Sequence, residues 1–281
     1  MTGIEIYKLV THGTFPGRCI QPRLVETHIS WVVLCEEFVF KIKKPIHYPF
    51  LDFSTLEQRR FYCDREVELN NRLAADLYVD VLPVRKKENS WAIGGKEGEI
   101  LDYAVRMKRL ESRQQMDVLL RDNKVYRSDI INLAGHIAEF HKQTKIIDKK
   151  EVADVGKKFN DLINEKDFLQ TALGHYCNDM IEKAISKSDG FLARHLSLLQ
   201  SRLRLGWFRD CHGDLHTRNI FLLPRPVIFD CIEFNDDYRE IDVLNEVAFL
   251  CMDLDASERP DLSELFINTY NSILPAMTSE G

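Results

Sequence analysis

The sequence predicts an α+β fold of two lobes. Three observations carry this: the first third is a series of short strand-like runs, the remainder has helical periodicity, and one polar loop with a hairpin interrupts the helical part. At 281 residues the chain is long enough for one large or two small domains, with a substantial core that needs no disulfide or metal staples. An apolar fraction of 44%, with only 13 Gly and 9 Pro, excludes disordered and fibrous classes.

Residues 31–34 and 38–42 are β-branched and aromatic runs separated by a turn containing Glu36 and Glu37, which predicts an antiparallel hairpin. A proline-bounded loop over 45–53 follows. Ser54 or Thr55 then offers an N-cap, with Glu57 or Gln58 placed to complete a capping box. The helix that starts there runs to Leu73, with Leu56, Phe61, Val67, Leu69 and Leu73 at roughly helical spacing among charges. Two more strands are expected over 77–84 and 99–107, joined by a turn around Gly94 and Gly95. Helical periodicity then covers 114–120, 129–142, 158–172, 178–187 and 191–205. Only 211–234 departs from it. There the apolar runs 220–223 and 227–229 flank Pro224, Arg225 and Pro226 as a second hairpin, and a helix over about 241–252 follows. The change of pattern after Arg109 divides the chain into an N-terminal lobe, 1–109, and a C-terminal lobe, 110–281.

Lys and Arg number 38 against 44 Asp and Glu, a net charge of −6, which argues against a nucleic-acid partner. No basic stretch leads into an apolar one at the N-terminus, and no apolar run approaches a membrane span, so a cytoplasmic protein without membrane contact is expected. The cysteines at 19, 35, 63, 177, 211, 231 and 251 form no CxxC pair. That spacing fits neither a zinc cluster nor a secreted disulfide framework, and predicts reduced thiols that are mostly small core residues.

The densest chemical signal is His212-Gly213-Asp214-Leu215-His216-Thr217-Arg218-Asn219, followed by Asp230 at the end of an apolar strand. This is the residue set that phosphoryl transfer from ATP requires. One Asp accepts or orients the proton of an attacking hydroxyl. An Asn supplies a neutral oxygen to a metal, and a carboxylate on the next strand bridges metal to phosphate. Magnesium takes few carboxylates alongside phosphate oxygens and water, so so small a ligand set suffices. Such chemistry also needs a strand lysine for the α- and β-phosphates and a helix glutamate to hold it. Lys41 ends the apolar run Phe38-Val39-Phe40, and Lys43 points to the same face as its rival. Glu66 and Glu68 are the candidate partners, with Glu66 preferred. No Gly-rich loop precedes Lys41. Thr27, His28, Ile29 and Ser30 are the segment expected to cover the phosphates, through backbone amides and the Ser30 hydroxyl.

With these residues in place the sequence resembles the aminoglycoside phosphotransferase-like branch of the protein-kinase-like superfamily, over nearly the whole chain. The strings ETHISWVVL, VFKIKKP, FLDFSTLEQRR, CHGDLHTRNIFL and IFDCIEFNDDYREIDV resemble an uncharacterised bacterial group of that branch whose members are often fused to a second ATP-binding domain. The resemblance implies a kinase-like fold with ATP between the lobes. It further implies Asp214 as catalytic base, Asn219 and Asp230 as magnesium ligands with Glu233 assisting, Lys41 as phosphate clamp and Glu66 as its partner. Met107, Lys108 and Arg109 become the hinge whose backbone reads adenine. Asp242 and Glu246 are expected to brace the catalytic loop by accepting backbone hydrogen bonds. No GxxxxGK[ST] loop occurs, so an ATP-binding partner domain, separate or fused, would lie outside this chain. The chain also reaches its end before the further helices that close the C-terminal lobe in relatives.

The expected function is ATP- and Mg2+-dependent transfer of the γ-phosphate to a hydroxyl of a small-molecule acceptor such as an aminoglycoside or other amino sugar or sugar. Between Asp230 and Glu258 ten acids stand against Arg239 alone; Asp236, Asp237 and Glu240, with no evident structural duty, offer attraction for a cationic substrate. The alternative is a nucleotide-binding regulatory module or pseudokinase. A protein kinase is disfavoured, since nothing after Asp230 resembles an activation segment.

Overall fold

Thr2 Oγ1 accepts from the Glu5 N–H while the Glu5 carboxylate accepts from the Thr2 N–H, a capping box that starts helix α1 (Gly3–His12). No helix was expected ahead of the first hairpin; its sequence signal is the Thr-x-x-Glu box itself. The structure, a computed structural model, describes residues 1–277.

After α1 come the strands β1 (Arg23–Glu26), β2 (Ser30–Leu34) and β3 (Phe38–Lys43), then a small hairpin of β4 (His47–Tyr48) and β5 (Leu51–Asp52). Thr55, not Ser54, caps α2 (Leu56–Ala74), with Gln58 closing the box. The strands β6 (Tyr78–Lys87), β7 (Ser90–Ile93) and β8 (Glu99–Lys108) complete an antiparallel sheet of order β1-β2-β3-β8-β6-β7. Both β1 and β7 are short edge strands missing from the sequence-based expectation. Edge strands bury little, so their alternation is faint.

Strand alternation sorts the sheet's faces. Phe40 and Ile42 join Ile6 and Leu9 of α1 in one core, while Lys41 and Lys43 point to the opposite face, toward α2. On that second face Cys63 and Ala74 of α2 pack with Tyr78, Val105 and Met107.

The second part contains α3 (Met116–Arg121), α4 (Arg127–Gln143), α5 (Asp154–Asn160), α6 (Lys166–Leu173) and α7 (Tyr176–Arg204). It continues with β9 (Phe208–Asp210), the hairpin β10 (Ile220–Phe221) and β11 (Val227–Ile228), β12 (Glu240–Asp242), α8 (Val243–Ala256) and α9 (Pro260–Ile273). Its core joins Leu133 and Ile137 of α4 to Leu250 and Leu254 of α8 and Phe266 and Tyr270 of α9. Two expected helices merge into α7, which runs through Gly190; one interior Gly costs about 1 kcal/mol, too little to stop a 29-residue helix. The single helix expected over 158–172 is instead divided between α5 and α6. No helix among the described residues is long and apolar enough to cross a membrane.

Five cysteines are buried free thiols, as anticipated, but Cys19 and Cys35 are joined in a disulfide. They are 16 residues apart in sequence and meet because the segment before β1 folds back on the β2–β3 turn. Glu36 there accepts from the Ile20 and Gln21 N–H groups, and Glu37 from that of Arg18. Closing a loop of this size restricts the unfolded chain by about 3 kcal/mol. Cys35→Ser should therefore lower unfolding stability by about that amount in denaturant titrations, and a dithiol reductant should reproduce the loss in the parent protein. Parent titrations that coincide with and without reductant would show that the bond does not stabilise the fold.

Candidate active site

Helix α2 delivers Glu66 to the back of the sheet, where it is fully buried and meets both rival lysines. Lys41 Nζ lies 2.9 Å from Glu66 Oε1, and Lys43 Nζ lies 2.6 Å from Oε2. Glu68 takes no part in this pairing. Lys41 also reaches Asp230 Oδ1 at 2.5 Å, while Lys43 pairs with Glu233. Burial disfavours the charged form of Lys41, but the carboxylates of Asp230, Glu66 and Glu233 outweigh it and hold the ammonium well above its usual range. Glu66 is likewise penalised by burial, yet the two ammoniums keep its carboxyl below the usual range. Two ammoniums face three carboxyls here. Burial accordingly pushes Glu233 up, against the attraction of Lys43.

A cleft of about 770 Å³ lies beside this network, lined by Lys41, Met107, Lys108, Arg109, Asp214, Asp230 and Glu233 among others. Glu66, Lys43 and Asn219 stand behind the lining and contact it. Ser30 does not line the cleft either. It faces the same side of the sheet as Val32, which lines the cleft, but sits opposite Lys43 and is completely buried, with no hydrogen-bond partner for Oγ. The roof is formed instead by Thr27, His28 and Ile29. At the segment expected to be the hinge, the Lys108 N–H donates to Leu77 O and the Arg109 N–H to Glu37 O, while Arg109 Nη1 donates to Cys35 O at 2.5 Å. These two backbone donors are thus engaged within the fold.

The loop over 211–219 is clasped from beneath. Glu246 Oε1 accepts from the His212 and Gly213 N–H groups, both at 2.7 Å, and its Oε2 meets His141 Nε2 at 2.6 Å; His141 Nδ1 in turn meets the Tyr270 hydroxyl at 2.7 Å. Gly213 has φ +86°, and a Cβ there would come within 2.8 Å of Tyr238 O, so only glycine fits. His212 is buried. Its Nε2 lies 2.9 Å from Phe229 O and its Nδ1 accepts from the Asp214 N–H, an arrangement for the neutral ring, and burial lowers its pKa. Thr217 is tied to Asp253 through backbone and hydroxyl. Asp242 has a different duty from Glu246: it caps α8 at Leu244 and pairs with Arg202 of α7.

Asn219 Nδ2 donates to Asp214 O at 3.0 Å and to Asp214 Oδ2 at 3.1 Å, which turns Asn219 Oδ1 into its remaining donor atom for a metal. Burial opposes ionisation of Asp214, but the hydrogen bonds and charge of His216, with Asn219, hold the carboxyl below its usual range. Asp230 adopts φ +65° while its N–H meets the Tyr78 hydroxyl at 3.2 Å, and the next N–H, of Cys231, donates to Asn70 Oδ1. Asn70 and Arg72 of α2, Tyr78, His141 and Tyr270 are site residues that sequence reasoning missed. The available signal was Asn70, one helical turn after Glu66 on the buried face, where an amide needs a partner.

His141, Cys211 and Glu246 also lie within 4.8 Å of one another. They form a hydrogen-bonded brace rather than a metal centre: His141 and Glu246 have their atoms engaged, and burial pushes the Cys211 thiol well up, away from the thiolate a metal requires. The acids expected to be without structural duty have basic partners. Asp236 meets Arg65 and Arg239, Asp237 meets Lys150, and Glu240 lies 3.8 Å from Lys145.

No family model matches the chain. Uncharacterized proteins of Mycobacterium tuberculosis and Mycobacterium bovis are 31% identical to it over 255 residues, or 87% of this chain and 48% of theirs. The chain therefore spans about half the length of the curated relatives it matches. Among solved structures, the ADP-bound aminoglycoside phosphotransferase APH(2'')-Ib matches over 98% of this chain and 85% of its own, with a TM-score of 0.50 and 16% identity. The fold is that of the aminoglycoside phosphotransferases, a protein-kinase-like fold. A streptomycin–ATP–APH(2'')-IIa ternary complex covers the same shares at a TM-score of 0.46 and 15% identity.

The Glu246 brace makes a pH prediction. Burial works against its ionisation, but the His141 hydrogen bond and charge, His212 and the Gly213 N–H hold the carboxyl below its ordinary 4.5. A depressed folded value contributes stability above the unfolded value, lost as pH falls through the folded one. Glu246→Ala should cost about 3–5 kcal/mol at pH 7. Glu246→Gln should flatten the fall of stability below about pH 4.5. Parallel acid-titration slopes for parent and Gln variant in chemical unfolding would remove Glu246 from the pH response.

Proposed function

We propose that this chain is an ATP- and Mg2+-dependent phosphotransferase acting on a hydroxyl of a small molecule, with 1–109 as the nucleotide-binding lobe and 110–281 as the catalytic and acceptor lobe. One observation carries the reading: Lys41, held by Glu66, Asp230, and Asp214 with its Asn219 contact converge on a single cleft. The ADP-bound structure that shares the fold agrees with a nucleotide in that cleft.

In this reading Lys41 holds the α- and β-phosphates, its ammonium kept charged by Glu66. Asp214 accepts a hydrogen bond from the acceptor hydroxyl, aims its oxygen at the γ-phosphorus and takes up its proton as transfer proceeds. The donor set fits magnesium, a hard cation that prefers oxygen: Asn219 Oδ1 and the Asp230 carboxylate would hold it, with phosphate oxygens and water. Bound there, the ion neutralises charge on the transferring phosphoryl group. Lys41 and Asp230 pair directly in this structure, so nucleotide entry exchanges that contact for phosphate. Thr27, His28 and Ile29 cover the phosphates in place of a Gly-rich loop. The alternative, a regulatory module that binds nucleotide without turnover, differs in one measurable respect, transfer.

Asp214→Asn should reduce transfer to an acceptor by about 10²–10⁴-fold and leave ATP affinity within a few-fold of the parent. Lys41→Met should instead weaken ATP in thermal-shift titrations with Mg2+. An Asp214→Asn variant as fast as the parent would end this mechanism, and stabilisation by Mg·ATP with no transfer to amino sugars, sugars or amino alcohols would favour the regulatory module.

A further inference from the structure

In the phosphotransferase reading, Lys41 exchanges its Asp230 contact for phosphate when nucleotide enters, which leaves Glu66 as the carboxylate that holds it. A glutamate held at one oxygen is a loose clamp. The last torsion of its side chain is broad and roughly two-fold, so its carboxylate can turn the bonded oxygen away. Here the second oxygen is engaged as well. Lys43 Nζ meets Glu66 Oε2 at 2.6 Å while Lys41 Nζ meets Oε1 at 2.9 Å, so each oxygen has its own ammonium.

Lys43 is itself held. It is fully buried, pairs with Glu233, and its ammonium lies 4.9 Å from the centroid of the buried Phe53 ring. Phe53 is tied in turn to α2, since its carbonyl accepts from Arg59 Nη1. Lys43 is not among the residues that line the cleft, so it has no direct contact to offer a nucleotide there. Nor is it needed to keep α2 on the segment after β11: Asn70 Oδ1 accepts from the Cys231 N–H, and Arg72 reaches Cys231 Sγ. Stability alone does not call for a second buried ion pair, because apolar residues of similar volume often do as well or better. What Lys43 supplies is a fixed direction for the Glu66 carboxylate.

We infer that Lys43 is a positioning residue for the transfer reaction: by holding Glu66 Oε2 it fixes the Oε1 that aims Lys41, so that Lys41 keeps its place after releasing Asp230. It acts through Glu66 and touches no reacting group. This rests on the phosphotransferase reading for what Lys41 holds, whereas the clamp itself is open to a test without nucleotide.

That test follows the Lys41 ammonium by nitrogen-15 NMR in an Asp230→Asn background, where Glu66 is the carboxylate that still bonds it. The resonance should persist in Asp230→Asn and broaden or vanish when Lys43→Met and Glu233→Gln are added together, a change that removes one charge of each sign. A second arm measures Mg2+-dependent ATP turnover, to water and to amino sugars, sugars and amino alcohols. Lys43→Met should lower kcat about tenfold or more while the KM for ATP stays within about threefold, because Lys41 keeps its charge and loses its aim. In a Glu66→Gln background the same replacement should change kcat by less than about twofold, since the group it acts through is gone. Melting temperatures of all variants are compared with the parent, and if Lys43→Met fails to fold, the charge-balanced pair Lys43→Met/Glu233→Gln carries the kinetic arm. A parent-like kcat in the Lys43 variant, an equal loss in the Glu66→Gln background, or a Lys41 resonance indifferent to Lys43 would each overturn the inference. A resonance that depends on Lys43 in a protein that transfers phosphate to nothing would uphold the clamp and defeat the phosphotransferase reading. ATP turnover by the parent, with Lys41 indifferent to Lys43, would do the reverse.

Discussion

The buried ion network around Glu66 is the constraint on which the rest of the structure depends. Its carboxylate is wholly inside the protein and bonded to two ammoniums from alternate residues of β3, one of which continues to Asp230 and the other to Glu233. A buried charge left without its partner costs about 3–5 kcal/mol, so the sheet, α2 and the segment after β11 cannot move independently without exposing that penalty. Lys43 is the less expected member. It lies out of the cleft, over the Phe53 ring at 4.9 Å, and acts on the site only through Glu66 and Glu233.

From this network the same helix extends its hold to the loop. Asn70 and Arg72 follow Glu66 along α2 and bond the Cys231 N–H and the carbonyls of Asp210 and Cys211. Beneath, Glu246, His141 and Tyr270 tie the loop to α8, α4 and α9, whose apolar faces form the largest core. Asp214 therefore stands on two rigid supports, one polar and one apolar, with its orientation set by Asn219 and its backbone by Gly213. Such support is what a site that works by positioning requires.

Around the rim the balance changes. The acids that look like a cation trap in sequence have bases beside them: Asp236 meets Arg65 of α2, Asp237 meets Lys150 before α5, and Glu240 lies 3.8 Å from Lys145.

The strands β2 and β3, the helix α2, the polar loop and the hairpin β10–β11 were legible in sequence, because strong alternation, a capping box and a dense polar motif are local signals. The short edge strands and α1 were overlooked where the pattern is brief, and the unity of α7 was hidden by Gly190. The candidate chemistry at Asp214, Asn219 and Asp230 was visible from residue type and spacing alone. What only the tertiary structure decided is which side chains meet: Glu66 with both lysines, Cys19 with Cys35, Glu246 with two backbone N–H groups, Ser30 withdrawn from the cleft. Spacing along a chain records local geometry, whereas charge compensation and burial depend on elements far apart in sequence, and these exist only once the chain has folded.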